Sequence, residues 1–148
     1  MKFILTPLLL FVFIGTAQSI DYNLKDGFMA EGYDVVAYFD NTAVKGDTKF
    51  QMEYKGANYK FSTVENLKTF QDNPEKYIPK YGGYCAYAIG VNGKKVDIDP
   101  KTFEIRNGEL LLFYNAWGTN TLKKWKKEGG DDLYLKAEAN WNKMIANE

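Results

Sequence analysis

The chain has 148 residues, 45% of them hydrophobic and 16% aromatic, which is enough for one domain with its own ring-rich core. Its 19 Lys and Arg residues balance 19 Asp and Glu residues, so the net charge gives no reason to expect a nucleic acid or an anionic membrane as a partner. There is no histidine, which excludes Ser-His-Asp and Cys-His catalysis and every metal site that requires imidazole.

Residues 1–19 have the pattern of a secretory signal peptide. One early lysine precedes a dozen apolar residues, Phe3–Ile14, and small residues lead up to a cleavage position at Ser19. The apolar run is well short of the ~20 residues that a membrane-spanning helix needs. We therefore expect an exported protein, periplasmic or secreted, with a single domain at residues 20–148 and no stable membrane insertion after cleavage.

The first elements of this domain are predicted to be strands. The β-branched and aromatic run Val35–Phe39 is typical of a buried strand. Lys49–Tyr54 and Asn58–Phe61 predict two further strands, joined by a short connection that contains Gly56. This part of the chain is therefore expected to form an antiparallel pair next to a buried strand.

A helix and another strand are predicted next. Ser62 and Glu65 have the spacing of a capping box, and the helix that they open is expected to end before Pro74, which begins one short helical turn. After a turn at Gly82-Gly83, the alternation in Tyr84–Ile89 predicts a strand that places Cys85 on one face.

The C-terminal part is predicted as a hairpin followed by two helices. Asn107-Gly108 is the strongest short hairpin signal in the chain. One helix carries Trp125 and stops at Gly129-Gly130, and a second begins at an Asp131 cap. This order of elements predicts an α+β fold, with helices packed on one face of a small antiparallel sheet and two helices at the C-terminus. The strands of this part are predicted at Lys95–Ile98, Phe103–Arg106 and Glu109–Tyr114.

Cys85 is the only cysteine, so an internal disulfide is excluded. In an exported protein a single cysteine is buried and inert, paired with another chain, bound to a ligand, or reactive. From spacing alone, a small core residue is the simplest interpretation, because free cysteine is among the most buried residue types. A soft-metal ligand and a redox thiol are the alternatives.

A longer pattern runs through the chain. Its segments are Gly32–Phe39, Tyr54–Ser62, Asn73–Ala86, Asp99-Pro100 and Asn107–Leu110, followed by Trp125 and Trp141. Together they resemble an exported YHS-domain protein over nearly all of residues 20–148. The resemblance implies a small α+β module, related to the TRASH-type domains beside heavy-metal transporters and some oxygenases, that binds metal, copper most often, through cysteine.

The resemblance implies Cys85 as the metal ligand. Copper as Cu(I) is expected first, because it accepts two or three soft ligands, and zinc second, although a closed tetrahedral Zn(II) site requires four. A thioether could come from Met29, Met52 or Met144. The chain lacks the histidine of the Tyr-His-Ser signature, so a Cys/His ligand set does not carry over. The residues expected to shape or line the site are Asp34, Tyr81, Gly82, Gly83 and Tyr84.

The first functional hypothesis is therefore a metal-binding module, not an enzyme by itself, and a homodimer could share one Cu(I) between paired Cys85 residues. A second hypothesis is a redox protein in which Cys85 forms mixed disulfides with a partner thiol. A third is a structural or small-molecule-binding domain with an inert, buried cysteine and an aromatic cleft. The lysines around Trp125 indicate either an acidic partner or a solvated helix face.

Overall fold

The computed structural model describes residues 19–148, so the predicted signal peptide lies outside the described residues except for Ser19. A four-stranded sheet forms first, in the order β1-β2-β4-β3. Neighbouring strands are antiparallel except β2 and β4, which pair in parallel through Phe28 and Asn58. The strands are β1 (Leu24–Lys25), β2 (Phe28–Met29), β3 (Asp47–Tyr54) and β4 (Ala57–Phe61).

Helices and two hairpins make up the rest, and the α+β class with two C-terminal helices is confirmed. Three short 3-10 segments lie at Ala30–Gly32, Ala37–Asp40 and Tyr81–Gly83. The remaining elements are α1 (Val64–Asp72), α2 (Pro74–Tyr77), α3 (Ala86–Asn92), β5 (Asp99–Arg106), β6 (Glu109–Phe113), β7 (Asn115–Ala116), β8 (Thr119–Asn120), α4 (Thr121–Lys127) and α5 (Gly130–Ile145). None of the helices within residues 19–148 is long and apolar enough to cross a membrane.

Strand β6 separates two hydrophobic cores. Because alternate residues of a strand face opposite sides, Leu110 and Leu112 pack into the core under the four-stranded sheet, and Leu111 and Phe113 pack against the C-terminal helices. The first core contains Met29, Tyr38, Tyr59, Phe61, Phe70 and Cys85. The second contains Ile89, Trp125, Leu133 and Ala137. Cys85 and Ala86 therefore stand where the chain passes from one core to the other.

The predicted strand at Tyr84–Ile89 is wrong, because this segment enters helix α3. Its small residues allow close packing on α5: a Cβ at Gly90 would come within 2.8 Å of the carbonyl oxygen of Leu133. The helix ends at Gly93, whose φ of 66° is the left-handed conformation common after a helix. The alternation in the sequence arises here from a helix buried on one side only.

The predicted strand at Val35–Phe39 is also wrong. Asp34 accepts hydrogen bonds from the backbone N–H groups of Val36 and Ala37, at 2.9 and 3.2 Å, and so turns the chain into a 3-10 segment. The cap of α1 is Thr63, whose hydroxyl accepts the N–H of Asn66, in place of the predicted Ser62.

Two smaller predictions in the C-terminal part also differ from the structure. The segment Lys95–Ile98 has no regular structure, and β5 begins one residue after it. Helix α5 begins at Gly130, one residue before the predicted Asp131 cap, and Asp131 lies in its first turn.

Candidate functional site

Cys85 stands at the start of helix α3, with 0% of its surface exposed. Its backbone N–H donates to the carbonyl oxygen of Val96 at 2.9 Å, and its own carbonyl accepts the N–H of Ile89 at 3.1 Å, in the first turn of the helix. The position of the thiol is therefore fixed from both sides of the chain.

The sulfur contacts both ends of the β7–β8 hairpin. The backbone N–H of Tyr114 donates to Sγ at 3.4 Å, and the hydroxyl of Thr121 lies 3.4 Å from the same atom. The Thr121 hydroxyl donates its one hydrogen to the carbonyl oxygen of Tyr114 at 2.8 Å, so the thiol hydrogen of Cys85 is the donor in the contact with Thr121. The thiol thus gives one hydrogen bond and accepts one.

The glycine turn before Cys85 is left-handed over three residues, with φ of 56° at Tyr81, 61° at Gly82 and 83° at Gly83. The carbonyl oxygens of Gly82 and Gly83 accept from the backbone and side-chain amides of Asn23, at 2.9 and 3.2 Å. A Cβ at Gly83 would lie 2.6 Å from Sδ of Met29, so only glycine fits beside this thioether.

Met29 itself is followed by a second left-handed segment. Ala30, Glu31 and Gly32 have φ of 50°, 54° and 79°. Runs of this kind are unfavourable for residues other than glycine and persist only when the surroundings hold them. Here the carbonyl oxygen of Gly32 accepts the N–H of Gly46 at 2.9 Å. The thioether of Met29 is therefore held between two constrained turns, in the same core as Cys85.

Asp34 is fully buried, and both of its oxygens are occupied by donors from the protein. One oxygen accepts the two backbone N–H groups of Val36 and Ala37. The other accepts the backbone N–H and hydroxyl of Ser62 and the side-chain amide of Asn66, each at 2.7 Å. This carboxylate joins the first 3-10 turns to the start of α1, and five existing hydrogen bonds compete with any metal ion for its lone pairs.

The two predicted tyrosines direct their hydroxyl groups away from Cys85. Tyr81 donates to Glu138 of α5 at 2.9 Å, and burial, followed by this hydrogen bond, raises the pKa of its hydroxyl. Tyr84 donates to Asp21 at 3.3 Å, and burial, with the charge of Asp21, raises its pKa too. The polar groups of Asp34, Tyr81 and Tyr84 therefore each bind a different part of the protein and do not converge on one site.

A cavity of about 290 Å³ opens beside Tyr81 and Gly82. Its apolar walls come from the N-terminal arm, the segment before the glycine turn and α5, and include Ile20, Tyr22, Pro79 and Trp141. Lys80 borders it and forms ion pairs with Glu109 at 3.2 Å and Glu138 at 2.9 Å. Burial alone would lower the pKa of Lys80, but these two carboxylates raise it, so its charge is retained.

The donor atoms of the described residues do not fit a closed Zn(II) site. Within residues 19–148 no group of three or more His, Cys, Asp or Glu side chains is arranged to hold a metal ion, whereas a closed zinc site uses four such ligands. Cu(I) needs only two or three soft donors. Of the three candidate thioethers, Met29 packs at the glycine turn, Met52 lies on β3, and Met144 is on α5 against Gly93.

The residues that contact the sulfur carry no signal in the sequence. The sequence predicts Tyr114 only as a strand residue, and Thr121 belongs to no motif. The two residues flank the β7–β8 hairpin, and the closing of this hairpin brings both of them to Cys85. The Met29–Gly83 contact joins residues far apart in sequence. The glycine pair after Tyr81 is the one local signal in this segment that indicates an unusual backbone conformation.

The geometry thus defines a small α+β module with a buried cysteine next to a glycine turn and a thioether. The family model of the YHS domain matches residues 35–81, so this part of the chain is similar to that family. The matched segment runs from the Asp34-capped turn to Tyr81, so Cys85 lies four residues beyond its end. No curated protein and no solved structure matches the chain.

Proposed function

We propose that this protein is a metal-binding module of the YHS type that holds one soft metal ion, copper as Cu(I) first, through the thiolate of Cys85. The observation that carries the proposal is the placement of two buried sulfur atoms at one glycine turn: Met29 touches Gly83, and Cys85 follows two residues later. Two soft donors are the minimum that Cu(I) requires. The thioether of Met29 is the proposed second ligand.

A bound Cu(I) would supply a soft Lewis acid that takes the place of the thiol hydrogen. The ligand is the thiolate, so binding releases one proton from Cys85. The N–H of Tyr114 can still donate to the sulfur after that proton has left, whereas the contact with Thr121 Oγ1 loses its hydrogen. The surrounding core excludes water and oxidants from the thiolate.

Entry of the ion requires a local opening, because the sulfur has no exposed surface. The contacts that close the site belong to the base of the β7–β8 hairpin, where both the N–H and the hydroxyl of Thr121 donate to the carbonyl oxygen of Tyr114. Separation of these few hydrogen bonds would uncover the thiol without unfolding either core. Transfer of the ion is therefore proposed to be slower than binding at an open site.

A competitive Cu(I) titration tests the proposal on four proteins: the wild type, Cys85→Ser, Met29→Leu and, as a matched control, Met52→Leu. We expect one ion per chain in the wild type, loss of binding in Cys85→Ser, at least tenfold weaker binding in Met29→Leu and no change in the control. One ion per two chains would indicate paired Cys85 residues from two copies. Equal binding by the wild type and Cys85→Ser would contradict the proposal.

A second candidate function is small-molecule binding with an inert cysteine. The complete burial of Cys85 and the cavity beside Tyr81, Gly82 and Trp141, with its mixed apolar and charged walls, favour it. Native-state labelling with a thiol reagent separates the candidates. Labelling only at the rate of global unfolding supports the inert cysteine, and faster labelling supports the local opening. A redox role with a partner thiol needs, in addition, a mixed disulfide with that partner.

We also propose that the protein is exported, with cleavage after Ser19. The support is the sequence pattern of residues 1–19 alone. Intact-mass measurement of the protein recovered from expressing cells tests this, and we expect a mature chain that begins at Ile20. Recovery of the intact 148-residue chain from the cytoplasm would overturn the proposal.

A further inference from the structure

Trp117 is the most exposed large hydrophobic side chain among the described residues, with 96% of its surface accessible. It occupies the first of the two turn positions between β7 and β8, and Gly118 occupies the second. Both have a positive φ, 53° for Trp117 and 77° for Gly118. A bulky aromatic residue is a true outlier in this conformation.

Three other hairpins within residues 19–148 use the same two-residue turn with glycine second. Their first turn residues are Asp26, Lys55 and Asn107, with φ of 52°, 49° and 53°. Asp and Asn suit this position because their short polar side chains tolerate the left-handed conformation. Tryptophan has no such property, and its indole gains almost no contact in the folded protein. A strained residue without an internal role indicates a role outside the fold.

Helix α4 begins directly after this hairpin and is strongly basic. Lys123, Lys124, Lys126 and Lys127 are all exposed, while Thr121 and Trp125 face the core. Among the ion pairs of the described residues, none involves these four lysines. By chain length they lie within roughly 25 Å of Trp117. The near-zero net charge of the whole protein therefore conceals four positive charges within α4, which precede the acidic residues Glu128, Asp131 and Asp132.

We propose that Trp117 and the four lysines of α4 form a docking surface for a bilayer that contains anionic phospholipid. Tryptophan prefers the interface between headgroups and acyl chains, and each lysine near an anionic surface adds to the attraction. Exposed lysines without ion pairs suit the diffuse charge of a lipid surface, whereas protein–protein interfaces are depleted in lysine. The surface holds the protein at the membrane without spanning it.

This proposal is independent of metal binding at Cys85. The test is co-sedimentation of the full chain with vesicles of phosphatidylcholine alone and of phosphatidylcholine with phosphatidylglycerol, at low and high salt. We expect at least tenfold stronger partitioning to the anionic vesicles, lost at high salt. Brominated lipid should quench the fluorescence of Trp117, and Trp117→Phe should remove that part of the quenching, since Trp125 is buried.

Two matched variants decide the role of α4. Replacing its four lysines with glutamine should weaken binding to anionic vesicles at least tenfold. The control replaces four exposed lysines elsewhere with glutamine and so changes the net charge equally; we expect it to lose less than threefold. The control positions are Lys45, Lys49, Lys68 and Lys136. Equal losses in both variants would overturn the proposal, as would binding of soluble polyglutamate by α4 without binding of anionic vesicles.

Discussion

The two ends of the β7–β8 hairpin have opposite environments. At its base, Tyr114 and Thr121 hydrogen-bond one another and the sulfur of Cys85, which has no exposed surface. At its tip, four residues from Thr121, Trp117 is almost completely exposed in a strained conformation. The polar groups at the base have hydrogen-bond partners within the fold, whereas the Trp117 side chain at the tip makes almost no contact with it. A partner for the base must therefore enter the protein, whereas a partner for the tip can meet it at the surface.

The largest effect is expected on the buried side, at the glycine turn. Gly83→Ala places a methyl group against Sδ of Met29 in a left-handed conformation, and should destabilise the protein by about 2–4 kcal/mol. Gly56→Ala is the matched control, since Gly56 has a similar φ of +85° and open space around it. Urea unfolding measures both. Equal losses of about 1 kcal/mol would show that the contact with Met29 is not tight.

Alkaline pH should also act on the buried residues and spare the tip. Burial raises the pKa of the Tyr38 and Tyr59 hydroxyls, whereas unfolded tyrosine ionises near pH 10. Their contribution to the free energy of unfolding is complete below pH 10 and is lost as the pH rises. The loss at pH 11 is roughly 3 kcal/mol for the two tyrosines together. Urea unfolding at pH 8 and 11 measures the loss, to which Tyr81 adds, and Tyr59→Phe should reduce it by about 1.4 kcal/mol, the contribution of one tyrosine. Equal stability at both pH values would contradict this assignment.

A smaller loss is expected from loosening the base of the hairpin. Thr121→Val keeps the shape of the side chain but removes the hydroxyl that donates to Tyr114, at a cost of about 1–2 kcal/mol. The rate at which a thiol reagent labels Cys85 in the native state should rise by more than the loss of global stability would cause. Thr119→Val, two residues earlier on β8, is the control and should leave the labelling rate unchanged. Unchanged labelling in Thr121→Val would show that the base does not control access to the thiol.

The smallest effect has the opposite sign, because it concerns the tip. Trp117→Asn gives this turn the Asn-Gly sequence that the β5–β6 hairpin already has, and should stabilise the protein by about 0.5–1 kcal/mol. The reverse change, Asn107→Trp, should destabilise it by a similar amount. Thermal unfolding of both variants checks the pair. A destabilised Trp117→Asn variant would mean that the indole makes contacts that stabilise the fold.

The sequence predicted the elements whose signals are local. Asn107-Gly108 marked the β5–β6 hairpin, and Pro74 marked the boundary between α1 and α2. It failed at Val35–Phe39, where a β-branched and aromatic run is typical of a strand, and at Tyr84–Ile89, where the alternation is. The first segment is turned by the Asp34 carboxylate, and the second is a helix that packs closely on α5. Both outcomes depend on partners that are distant in sequence.

The candidate site was predictable only in part for the same reason. Cys85 and the glycine pair are visible in the sequence, and Met29 was one of three possible thioethers. Their selection depends on the contact between Met29 and Gly83, which the fold creates. Asp34 carried the right chemistry for a ligand, but its lone pairs are occupied by five donors. The basic cluster of α4 was visible as well, but the balanced net charge concealed its significance.

X-ray absorption at the copper edge tests the central claim most directly, on the protein loaded with one equivalent of Cu(I). We predict that sulfur atoms bind the copper, with two sulfur donors in the wild type, one in Met29→Leu and none from the protein in Cys85→Ser. A shell of nitrogen and oxygen donors that is the same in the wild type and Cys85→Ser would contradict the assignment of Cys85 as the metal ligand.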